Sequence, residues 1–117
     1  MADEIIESVN AFKDAAMKQF TFTKEGDWKK GNAQIKRMNT AFKNLKEVGD
    51  EGREALLNLI NDDEVCVSKL TAVYSMRYNP DKCLTVLKKL AKQDIPHISF
   101  EAKQSIQSWD NGEWYIE

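Results

Sequence analysis

Apolar residues recur at spacings of three and four along almost the whole chain, interrupted only by two prolines (Pro80, Pro96) and five glycines (Gly26, Gly31, Gly49, Gly52, Gly112). That period puts apolar side chains on one face of a helix, whereas a half-buried strand needs strict alternation. No segment alternates convincingly at period two. The chain is therefore expected to be all-α, with breaks where Gly and Pro punctuate it.

Six helices follow from those breaks. The first covers residues 2–22, with Ile5, Ile6, Val9, Phe12, Ala16 and Phe20 inward. Asp3, Glu4 and Glu7 stand at its start, where the helix dipole favours anions. Asp27 is placed to cap a second helix reaching about Val48, with Trp28, Ile35, Met38, Ala41, Phe42 and Leu45 inward. Gly31 lies inside that helix and costs about 1 kcal/mol relative to Ala, which weakens its first turn. A short third helix runs from about Glu51 to Ile60, with Ala55, Leu56, Leu59 and Ile60 inward. The Asn61-Asp62-Asp63 turn offers carboxylates to cap a fourth, from about Glu64 to Tyr78, with Val67, Leu70, Val73 and Met76 on one side. Pro80 suits the first position of a fifth helix over about 80–92. Asp94-Ile95-Pro96 breaks it before a sixth over about 98–109, and residues 113–117 form a short aromatic and acidic tail.

Composition bounds the function. With 42 % hydrophobic and 31 % charged residues the chain is globular rather than disordered. Its 117 residues suit one domain over 1–117. No apolar run reaches the roughly 20 residues that cross a bilayer, so no membrane partner is expected. The acidic start, Met1-Ala2-Asp3-Glu4, lacks the features of an export signal, and two Cys then point to free thiols in the cytoplasm. Cys66 and Cys83 have no neighbouring Cys or His at zinc spacing and are expected as buried thiols. Asp62-Asp63-Glu64 lacks the alternating ligands and the glycine of a calcium loop. His97 is the single His, has no identifiable nucleophile to serve, and is expected as a capping or surface residue. We therefore expect no enzyme, no cofactor and no bound metal. A small enzyme survives only through carboxylates brought together by folding.

The third and fourth helices form one antiparallel pair and the fifth and sixth another, roughly 30 residues apart, a period in the range of helical solenoids. The first two helices would supply a third layer and cap the stack. The ordered residues Leu56-Leu57, Asn61-Asp62-Asp63, Val67-Ser68-Lys69-Leu70-Thr71-Ala72, Tyr78-Asn79-Pro80-Asp81-Lys82, Leu84, Val86-Leu87, Leu90-Ala91, Phe100-Glu101-Ala102 and Trp109-Asp110-Asn111-Gly112 resemble a family of short HEAT-like bacterial proteins of unknown function. Gly26-Asp27-Trp28-Lys29-Lys30-Gly31-Asn32 also fits that family's second helix, so the resemblance spans about residues 26–112. It implies a right-handed stack of antiparallel helical hairpins. Small solitary proteins of this kind occur beside polymorphic bacterial toxins as their immunity proteins, which implies a cytoplasmic inhibitor. Ser68 stands where the family usually carries Arg, and Thr71-Ala72 where it has paired alanines.

Charge is unevenly spread. Residues 12–46 hold nine Lys/Arg and three Asp/Glu, a local net of +6. Residues 94–117 hold five acids and one Lys, a net of −4, and residues 1–11 add −3. Lys29, Lys30, Lys36, Arg37, Lys43 and Lys46 could track phosphates, but a solvated helix face is the better account, because the chain's overall charge is −2 and nucleic-acid binders are usually basic overall. The acidic end reads instead as a surface for a basic protein. Asp110, Glu113 and Glu117 neighbour Trp109, Trp114 and Tyr115. Carboxylates steer a basic partner, and Trp and Tyr anchor interfaces. Trp109 is expected in the last core layer, and Trp114 either in the interface or over the end of the stack. A groove between repeats would add Glu64, Ser68, Thr71 and Ser75, which share one helix face, and on the sixth helix Lys103, Gln104 and Gln107. The expected contacts are Glu64, Ser68, Thr71, Ser75, Asp81, Gln107, Asp110, Glu113, Trp114 and Tyr115. The expected partner is a basic toxin domain, such as a nuclease, bound by a protein that is monomeric on its own. A nucleic-acid-binding repeat using the second helix is the alternative.

Overall fold

A computed structural model describes residues 3–117. Six α-helices and one 3-10 turn carry the chain, and no strand occurs among the described residues. The helices are α1 (Asp3–Glu25), α2 (Trp28–Val48), α3 (Asp50–Leu57), α4 (Val65–Tyr74), α5 (Pro80–Lys92) and α6 (Ile98–Asp110). None of them is long and apolar enough to cross a membrane. The chain divides into two compact units, Met1–Leu59 and Ile60–Glu117.

In the first unit α1 and α2 pack along each other and α3 closes onto α2. At 1.5 Å per residue α1 is about 35 Å long. The buried face uses Ile5, Phe12, Ala15 and Ala16 from α1, and Met38, Ala41, Phe42 and Leu45 from α2. Two expected inward residues are not inside: Ile6 is 45 % and Trp28 68 % exposed. Ile6 lies one residue round the helix from buried Ile5, and Trp28 opens α2 at the hairpin turn, ahead of its first buried position, Gly31. The first turn of α2 forms despite Gly31, because the Asp27 carboxylate accepts the Lys30 amide at 3.2 Å.

Two glycines fix how α3 meets α2. Gly49 has φ +95° and separates the helices by a single residue, its amide bonding the Lys46 carbonyl at 3.0 Å. A Cβ at Gly52 would be driven into the Leu45 carbonyl group, whose carbon would lie 2.9 Å away. The α3 backbone thus approaches α2 as closely as only glycine permits. The third helix ends at Leu57, sooner than periodicity suggests, and continues as a 3-10 turn over Asn58–Asn61.

In the second unit α4 packs against both α5 and α6, which also pack on each other. Connections of five residues, 75–79 and 93–97, make successive helices antiparallel. The end of α4, the start of α5 and the end of α6 therefore meet at one end of this unit. The fourth helix stops at Tyr74, before its apolar pattern does. The amides of Tyr78 and Asn79 both return to the Ser75 carbonyl at 3.0 Å, and Asn79 caps α5 at the Lys82 amide ahead of Pro80. At the next connection Asp94 and His97 hold positive φ, and Ser99 ties the segment down. Its hydroxyl accepts the Ile95 amide and donates to the Leu90 carbonyl, both at 2.7 Å. His97 is exposed and occupies the N-cap position of α6 without a side-chain capping bond.

Candidate protein-binding surface

The central helix α4 is buried almost all round, and this corrects the expected polar row. Ser68, Thr71 and Ser75 are 7 %, 0 % and 1 % exposed and do not form a surface. The Ser68 hydroxyl donates to the Ile60 carbonyl, while Thr71 Oγ1 and Ser75 Oγ have no hydrogen-bond partner. A helix packed on two neighbours has no free stripe, so its small hydroxyls fill space between helices rather than await a ligand. Lys69 is also enclosed, at 5 % exposure, and its ammonium reaches Glu101 Oε2 on α6 at 2.9 Å. Sequence reasoning missed this pair, which lies 32 residues apart. Its signal was a single Lys inside an otherwise uncharged helix.

The other expected contacts are exposed except Trp114. Glu64 occupies the N-cap position of α4 without a side-chain capping bond, and so lies about 15 Å along the helix from the end where the tail docks. Asp81, in the first turn of α5, shares that end with Asp110 and Glu113 by the antiparallel topology. Gln107 lies exposed on the last turns of α6.

Arg77, a residue sequence reasoning passed over, builds the surface at that end. It lies in the turn after α4, and its guanidinium donates to the Trp114 carbonyl at 3.0 Å and the Ile116 carbonyl at 2.9 Å. Two bonds from one planar fork fix the tail in place. Gly112, at φ +73°, turns the chain back from α6. Trp114 is thereby folded inward to 8 % exposure, with its ring edge-on to Trp109 at 5.7 Å and tilted against Tyr115 at 6.0 Å. Trp109 is half-buried rather than deep in the core, and Tyr115 is 78 % exposed. Trp114 therefore supports the surface, while Tyr115 and one side of Trp109 form it.

This end carries the acids Asp81, Asp110 and Glu113 together with the cations Arg77 and Lys82. Asp110 is the last residue of α6, whose final turn carries no basic residue. A carboxylate there stands at the negative pole of the helix, with no cation in that turn to offset it. Asp81 occupies the opposite, favourable pole of α5. Burial, and secondarily Tyr115 nearby, pushes the Tyr74 phenol up to about 12, so beneath the surface it stays neutral. Cys83 is likewise raised to about 12 by burial, and Cys66 is raised too, which leaves both free thiols unreactive.

The first unit carries a separate concavity, an open groove of about 800 Å³ between α1 and α2. Glu4, Glu7 and Glu47 stand at one end, Lys36 and Arg37 farther along, and Ala11 and Ala33 on the lining.

The molecule is thus an all-α protein with an acidic, aromatic surface clamped onto one end of its second unit. The chain matches no known protein family, no curated protein and no solved structure.

Proposed function

We propose that the chain is a non-enzymatic protein-binding module, most concretely a cytoplasmic immunity protein that neutralises a bacterial toxin domain, such as a nuclease. Asp110 carries this reading. Its exposed carboxylate stands beside the exposed Tyr115 and the half-buried Trp109, which gives a basic partner a charge and anchoring rings in one place. Glu113 and Asp81 extend the negative field. Tyr115 and Trp109 supply the anchoring rings. The partner's Lys and Arg would dock here, and its active or substrate-binding surface would be covered. The likeness to short HEAT-like proteins supports the same reading. It also underlies the finer view of the fold as a right-handed stack of antiparallel hairpins.

The test is retention of the product of the gene immediately upstream on the tagged protein at moderate salt, with the toxicity of that product scored in cells expressing both. Neutralisation that is lost in Asp110→Lys/Glu113→Lys supports the proposal. Neutralisation unchanged by that double variant, or no neutralisation at all, defeats it.

A further inference from the structure

The geometry points to a second site, on the first unit: the outer face of α2 as a binding surface for single-stranded nucleic acid. Trp28 would be the stacking platform, and Lys29, Lys36 and Lys43 the phosphate contacts. The inference is independent of the toxin-binding proposal, because it uses other residues in the other unit.

The lysines of this face are legible in the sequence, but with Trp28 expected inward the face had no ring for a base to stack on. The indole is instead 68 % exposed. Lys29 Nζ lies 5.9 Å from the ring centroid, so a base on the ring brings its phosphate beside an ammonium. Lys29, Lys36 and Lys43 recur every seven residues, almost in line along the helix, and all three are exposed. The line is about 21 Å long. Among the described residues none of the three pairs with a carboxylate. The neighbouring cations are committed elsewhere: Lys30 faces Asp27 at 3.7 Å, and Arg37 holds Asp14 at 3.0 Å and Gln34 at 2.8 Å. Beside the lysines stand exposed Asn32, Asn39 and Asn44, polar side chains of a kind that contacts sugar and phosphate oxygens. Glu47, with Glu4 and Glu7 across the groove, reverses the field beyond Lys43 and ends the site.

Ring and spacing together select the ligand. An exposed indole stacks on an unpaired base, whereas a duplex keeps its bases stacked within. A membrane is a poorer fit, because Ala33 is the only apolar residue among these outward positions and nothing follows Trp28 into the acyl layer. The chain's overall negative charge does not forbid the site, since exposed charges farther than about 8–10 Å are largely screened at physiological salt.

The test is fluorescence anisotropy of a labelled 20-nucleotide oligothymidine with the intact chain, titrated with salt. Binding should weaken with a log–log slope of about −2, as three phosphate contacts on a single strand require. Trp28→Ala should weaken it about tenfold. Lys29→Glu/Lys36→Glu/Lys43→Glu should abolish it, while Asp110→Lys/Glu113→Lys leaves it in place. All four α2 residues are exposed, so circular dichroism of the variants should be unchanged. The inference is overturned by no binding at low salt, by equal affinity of Trp28→Ala, by preference for a duplex of matched length, or by capture on phosphatidylserine vesicles without oligothymidine binding.

Discussion

The two units hold themselves together differently. The first packs two long helices, closed by α3, through an apolar face of alanines with Ile5 and Phe12 from α1 and Met38, Phe42 and Leu45 from α2. The second uses three shorter helices and is closed by polar contacts that reach far along the chain. Lys69 meets Glu101, Ser99 stitches Ile95 to Leu90, and Arg77 holds a tail 37 and 39 residues away. Short helices bury too little apolar stripe to fix their own ends, so side-chain polar groups specify where the turns and the tail sit. The consequence is functional: the second unit's clamps shape a surface, whereas the first unit, with its exposed Arg37–Asp14 pair between α1 and α2, presents a charged helix face.

That contrast can be broken first at the backbone. Gly52→Ala should destabilise the first unit by about 3 kcal/mol, because the new methyl meets the fixed Leu45 carbonyl rather than a side chain able to move. Chemical denaturation should show the loss, and a change below about 0.5 kcal/mol would mean α3 does not sit tightly on α2. In the second unit, Glu101→Ala should cost about 2 kcal/mol by leaving the enclosed Lys69 ammonium unpaired, less than for a fully buried pair because Glu101 is 40 % exposed. Adding Lys69→Met should recover most of that loss, since the charge is then gone as well as its partner. Arg77→Ala should have a smaller effect on stability, about 1 kcal/mol, but should free the tail. Trp114 then moves into water, read as a red shift of tryptophan emission. The smallest effect has the opposite sign. At Gly31 an added Cβ meets only Phe22 Cβ, at an ordinary 3.9 Å, inside a helix. Gly31→Ala should therefore stabilise by about 0.5–1 kcal/mol, seen as a raised Tm.

Most of the helical outline was legible before the structure, and the reason is physical. Helical period, the Asp27 and Asn79 caps, Pro80 and the glycines act locally, and local signals survive in sequence. What was not legible depended on neighbours far along the chain. Ser68, Thr71 and Ser75 share a helix face whether that face meets water or two other helices, and only packing decides between them. Trp28 and Trp114 were misjudged or left open for the same reason: one opens a hairpin at its exposed turn, and the other is folded in by an arginine 37 residues earlier. Of the acidic end, Asp110, Glu113 and Tyr115 could be read from their proximity in sequence. Arg77, which makes a surface of them, could not.

The central claim is that the acidic, aromatic end of the second unit, and not the basic helix of the first, engages the partner protein. The most direct measurement compares two charge-reversed proteins for protection of cells that express a toxin domain the unaltered protein neutralises, one carrying Asp110→Lys/Glu113→Lys and the other Lys29→Glu/Lys36→Glu/Lys43→Glu. The account predicts that the first loses protection and the second keeps it. Protection retained by the first and lost by the second would contradict it.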